Sequence, residues 1–115
     1  MVLEKIQVQY VDNELYIIAS SEVGSSELCH IKSGYYEPNT LTIYPGAILQ
    51  EGQYDITMIG INWGGPYKFR IELFGEGITD LDKVCSGSDT SDSALVGCVW
   101  NKTVKGVSVK TPGAK

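Results

Sequence analysis

Gln53-Tyr54-Asp55-Ile56-Thr57-Met58-Ile59-Gly60-Ile61, then Asn62-Trp63-Gly64-Gly65-Pro66, then Tyr67-Lys68-Phe69-Arg70-Ile71-Glu72-Leu73, is the stretch that decides the fold. Its apolar residues recur with a period of two. Tyr54, Ile56 and Met58 share one face of the first arm. Tyr67, Phe69, Ile71 and Leu73 share one face of the second, with Lys68, Arg70 and Glu72 opposite. Successive side chains on a strand point to opposite faces, so this alternation predicts two half-buried strands joined as a hairpin across the Asn62–Pro66 turn.

The same period extends in both directions. Towards the N-terminus, Ile6, Val8 and Tyr10 alternate with Lys5, Gln7 and Gln9. Asp12-Asn13 then marks a turn, and the unbroken apolar run Leu15–Ala19 predicts a partner strand buried on both sides. Shorter candidates follow at Glu27–Lys32 and Thr40–Tyr44. Downstream, Ala94–Trp100 and Thr103–Val109 read as two strands turning at Asn101-Lys102, while residues 75–93 form a long irregular segment rich in Gly, Ser and Asp. No segment of ten residues carries a helical apolar stripe, and no internal repeat is present. Eight or nine short strands separated by turns predict an all-β, single-domain antiparallel β-sandwich, Ig-like or jelly-roll-like, over residues 1–110. A small β-barrel is the alternative, and residues 111–115 are expected to fray as a C-terminal tail.

Composition bounds the function. The 115 residues suffice for one domain, which excludes a two-domain enzyme, a TIM barrel and a full dinucleotide-binding fold. With 43% hydrophobic and 20% charged residues, the chain has enough apolar side chain for one core. A net charge of −5 removes the counterion-release term that drives nucleic-acid binding. No apolar run approaches the roughly 18 residues of a transmembrane helix. The first ten residues lack the apolar core of a secretory signal, which leaves a cytoplasmic protein or a secreted mature form.

The catalytic inventory is thin, so the chain is expected not to be an enzyme. His30 is the one histidine, and on a strand its side chain points away from that of Cys29, which prevents a thiolate–imidazole pair. Gly64-Gly65 precedes Pro66 in a hairpin turn, not a helix, so it is no phosphate loop. Of the three cysteines, Cys85 and Cys98 are a disulfide candidate whose closure stabilises by roughly 3 kcal/mol; the alternative is three reduced thiols in the core. No cofactor is called for. Asp80, Asp82, Asp89 and Asp92 form an oxygen-rich stretch and a Ca²⁺ candidate, though its spacing is not that of an EF-hand; a solvated acidic loop is the plainer reading. Asn101-Lys102-Thr103 is a glycosylation sequon.

Aromatic residues placed in turns are more informative. Tyr35 and Tyr36 lie between Gly34 and Pro38, and Trp63 lies in the hairpin turn. Exposed rings suit stacking on a sugar or insertion at a lipid interface, with Glu37, Asn39 and Asn62 as hydrogen-bonding neighbours; the alternative is a Trp63 folded back over the end of the core. Within Gln53–Leu73, Trp63-Gly64-Gly65-Pro66 resembles the Trp loop of the chagasin-type cysteine-protease inhibitors, which are Ig-like sandwiches. The family's Asn-Pro-Thr-Thr-Gly-Phe segment is absent. The expectation is therefore a lectin-like, acidic binding protein that engages a glycan through Trp63, Tyr35, Tyr36, Asn62, Glu37 and Asn39. Two alternatives stand beside it. One is a small protein that binds or perforates a membrane surface. The other is a protein-interaction module, such as a protease inhibitor, immunity or effector protein, presenting the acids between Glu72 and Asp92 to a basic partner.

Overall fold

The computed structural model describes residues 1–34 and 41–110. In chain order they form β1 (Val2–Val11), β2 (Asn13–Ser21), β3 (Gly24–Gly34), β4 (Leu41–Ile43), the single-turn α1 (Pro45–Ile48), β5 (Gly52–Asn62), β6 (Tyr67–Glu76), the single-turn α2 (Asp80–Lys83), β7 (Val84–Asp89) and β8 (Gly97–Val109). The fold is all-β. The strands make one eight-stranded sheet in the order β3-β2-β5-β8-β1-β6-β7, with β4 also paired to β1. Every pairing is antiparallel except β1 with β8, which meet in parallel at Val2 and Ser108. That single bridge, with the Ser108 amide donating to the Met1 carbonyl, joins a β3-β2-β5-β8 half to a β4-β1-β6-β7 half. Both halves contribute to one apolar core.

The core follows the alternation where strands are regular and departs from it at bulges. In β6, Phe69, Ile71 and Leu73 are buried, and in β5 Ile56 and Met58 are. In β1 the buried set is Leu3, Ile6, Val8 and Val11, which no period of two produces. Two register shifts against β6, at Leu3/Lys5 and Val8/Tyr10, insert the extra residues. The second turns Val11 inward in place of Tyr10, whose ring instead carries the Lys68 ammonium 3.9 Å above its centre. Gly75, opposite the first bulge, has φ +158°, and a Cβ there would lie 1.8 Å from the Val2 carbonyl oxygen, so only glycine fits.

The two halves interlock through aromatic rings and glycines. Phe69 on β6 lies over Gly60 on β5, and Trp100 on β8 lies over Gly87 on β7, each ring where a Cβ would come within 2.7 and 2.6 Å respectively. The rings stack on each other, 5.7 Å apart and 7° from parallel. Glycine is ordinarily a weak strand residue; here it makes room for a ring from the other half.

Three expectations for the elements are corrected. Leu15–Ala19 is buried on one face only: Leu15, Ile17 and Ala19 are inside, whereas Tyr16 and Ile18 are half-buried. Asn101-Lys102 is not a turn, because β8 runs straight through it with Asn101 paired to Ile59 and Lys102 to Met58. The segment read as irregular contains β7, which escapes a hydrophobicity pattern because only Val84 and Cys85 are apolar; it is held by its pairing with β6.

Candidate functional site

Three connections meet at one end of the fold. The β1–β2 turn is so tight that Asn13 takes φ +85°, a conformation that asparagine tolerates better than most side chains. Its amide nitrogen donates to Asn62 Oδ1 at 2.9 Å, and its Oδ1 accepts the Trp63 backbone N–H at 3.3 Å. Asn62 closes the other side: its Nδ2 donates to the carbonyls of Gly65 (3.0 Å) and Leu95 (2.8 Å), and its Oδ1 also accepts the Gly64 amide at 3.2 Å. Asn62 is wholly buried. A polar side chain there is tolerable because both ends of its amide are satisfied. Expected as a ligand contact, Asn62 instead spends its hydrogen bonds inside the chain, tying the β5–β6 turn to the segment before β8.

Trp63 is held by its side chain as well. Its indole N–H donates to Glu14 Oε1 at 2.9 Å, and Glu14 Oε2 lies 2.6 Å from His30 Nε2. Glu14 occupies the first part of β2 on the same strand face as Tyr16, and Tyr16 pairs across to His30, whose ring stacks on it at 4.0 Å. Strand parity puts Glu14 on the outer face, yet it is only 7% exposed, because Trp63 and His30 cover it. Those two donors hold its carboxyl below the ordinary value of 4.5, the His30 bond contributing most and the Trp63 bond next, against an opposing effect of burial. Burial, and then the charge of Glu14, raises the Tyr16 hydroxyl.

The consequence is a tryptophan fixed by its N–H but with its ring in solvent: Trp63 is 64% exposed. Leu95 and Val96, joined to this turn through the Leu95 carbonyl, are 79% and 64% exposed. This end therefore presents an exposed indole held by a buried carboxylate, with exposed Leu95 and Val96 on the segment tied to the same turn. That carboxylate is engaged by its two donors, and on β3 burial pushes the Cys29 thiol up to about 11, which disfavours its thiolate form.

Of the other expected ligand residues, Tyr35, Tyr36, Glu37 and Asn39 lie outside the described residues. Gly34, which precedes them, pairs with Asn13, so β3 reaches this end. The candidate Ca²⁺ ligands are not brought together. Asp80 and Asp82 sit in α2 before β7, Asp89 and Asp92 at its far end, and among the described residues no group of three or more His, Cys, Asp or Glu is placed to hold a metal. Asp82 instead pairs with Lys102 at 3.0 Å, and Glu72 with Arg70 at 3.2 Å. Cys85 and Cys98 do not bridge: all three thiols are free, Cys85 buried beside β6 and Cys98 exposed beside β5. Sequence reasoning missed Glu14, Tyr16 and His30 as a group. The one available signal is that Glu14 and Tyr16 are two apart on the outer face of β2; nothing in the sequence pairs them with Trp63.

Among protein-family models, curated proteins and solved structures, none matches this chain.

Proposed function

We propose that the chain is a non-enzymatic binding domain that presents Trp63 to the nonpolar face of a sugar ring. The observation that carries this reading is the combination of a 64% exposed indole with a fixed N–H. Holding a large ring in water forgoes the burial that a Trp side chain would otherwise gain. Fixing it in advance lowers the ordering cost that a ligand would meet. Stacking uses the ring face, which the Glu14 bond leaves clear, since that bond lies in the ring plane.

A glycan array probed with the protein clustered through a tag, with Trp63→Ala alongside, tests the reading. Binding that falls at least tenfold in the variant is the expected result. Equal binding by both proteins, or none by either, overturns it.

A second reading rests on Leu95 and Val96. With Trp63 they make an apolar triplet suited to the interfacial zone of a bilayer, where tryptophan is at home. Co-sedimentation with liposomes that is lost in Leu95→Ser/Val96→Ser favours it over the glycan. Recognition of a basic protein partner through the acids between Glu72 and Asp92 has less support, because Glu72 and Asp82 are already paired with Arg70 and Lys102.

A further inference from the structure

At the end of β5 remote from Trp63, three adjoining hollows of about 330, 430 and 380 Å³ share Ser21 and Tyr54. Eight residues of extended strand separate Tyr54 from the Trp63 turn, which places the two ends roughly 25–30 Å apart. Together the hollows form an open cleft between the β2–β3 turn, the segment following α1 and the start of β5, of a size that small ligands occupy.

The cleft is built around an aromatic ring. Tyr54 leans on the core, and its hydroxyl donates to the Gln50 carbonyl at 2.7 Å, which fixes the ring against the chain leaving α1. One wall is the neighbouring bulge of β8, where the Gly106 amide donates to Asp55 Oδ1 at 3.0 Å. Around the ring stand the side chains of Glu22, Gln50 and Gln53, which make no hydrogen bond within the chain among the described residues. Val23, 97% exposed at the tip of the turn, and Ile48 form an apolar rim. No Lys, Arg or His lines the cleft among the described residues.

From this set of groups we infer that the Tyr54 cleft is a second, separate binding site, and that its ligand is a neutral saccharide. Amides both donate and accept, and a carboxylate accepts from two adjacent hydroxyls at once, which is the pattern that a vicinal diol requires. The ring and the aliphatic rim suit the C–H face of the same sugar. An anionic ligand finds no cation here and meets Glu22, Glu51 and Asp55 instead. This inference does not depend on Trp63. If both ends bind, one domain is bivalent.

The test is a titration of the ¹⁵N-labelled protein with neutral trisaccharides of glucose, galactose and mannose, followed by amide chemical shifts. A sialylated trisaccharide and spermidine serve as charged controls. The expected result is saturable movement of Ser21, Gln50, Gln53 and Tyr54 with at least one neutral trisaccharide and none with the sialylated one. Gln53→Ala and Glu22→Gln, both at exposed positions, each weaken that binding at least tenfold, and Tyr54→Ala abolishes it. If Tyr54→Ala loses its amide dispersion, the two surface variants decide. Shifts confined to the Trp63 end uphold the first site and overturn this one. Shifts from spermidine alone that vanish in 300 mM salt mark the cleft as an acidic surface and also overturn it, as does silence from all ligands.

Discussion

Asn62 and Glu14 are both polar and both buried beneath the same end of the fold, Asn62 with four hydrogen bonds and Glu14 with two, yet they should respond differently to substitution. Asn62 satisfies two carbonyls and accepts from Asn13 and Gly64, so Asn62→Ala leaves several groups unpaired in a dry site. The expected loss is about 2–4 kcal/mol in urea unfolding. A ligand contact at the surface would change stability by far less. Glu14 is tied to pH. Its carboxyl is depressed in the folded chain, so its contribution is complete above the unfolded value near 4.5 and drains away as pH falls through the lower folded value. Unfolding free energy should therefore decline below pH 4.5, and Glu14→Gln should flatten that decline. Parallel curves for the two proteins would contradict the assignment of this carboxylate.

At the scale of elements, the interlock of β5, β6, β7 and β8 makes a prediction that the strands alone do not. Phe69 is wholly buried with its ring against Gly60 and stacked on Trp100, so a new methyl group at position 60 must displace it. Gly60→Ala should cost about 1–3 kcal/mol by overpacking. In a Phe69→Leu background the same change should cost less, because the smaller side chain vacates the space, and a double-mutant cycle of thermal unfolding reads the difference. Additive effects would mean that the two positions do not touch. The bulges of β1 belong to this scale too. They explain why Val11 is inside and Tyr10 is not, and they turn on pairing with β6, where Gly75 admits the close approach of the Val2 carbonyl.

For the whole molecule, the shared core sets which groups reach solvent. Cys29 and Cys85 are buried, one on each half, and burial raises both thiols, whereas Cys98 is exposed. Titration of the native protein with an aromatic disulfide at pH 8 should label one thiol per chain quickly, and three after denaturation. Cys98→Ser should abolish the fast reaction. Three fast thiols would show that the core opens readily. The two ends of the long strands carry the two candidate sites, the indole and aliphatic group at one and the polar cleft around Tyr54 at the other.

The all-β class and much of the core were legible in the chain, because period-two alternation in β5 and β6 is a local consequence of strand geometry. It placed Phe69, Ile71, Leu73, Ile56 and Met58 inside. Continued along β5, the same parity reaches Gly60 and Asn62, so burial of Asn62 was readable in principle; what it bonds to was not. The turn position of Trp63 left open whether its ring faces solvent or folds back over the core, and the tertiary structure leaves it 64% exposed. Tertiary structure alone decided the rest. Bulges shift parity by an extra residue that carries no compositional mark, and β7 exists because β6 offers it a ladder. Glu14 is buried on the wet face of its strand because Trp63 and His30, 49 and 16 residues away, close over it. Local pattern records which way a side chain points. What covers it depends on segments brought together only by folding.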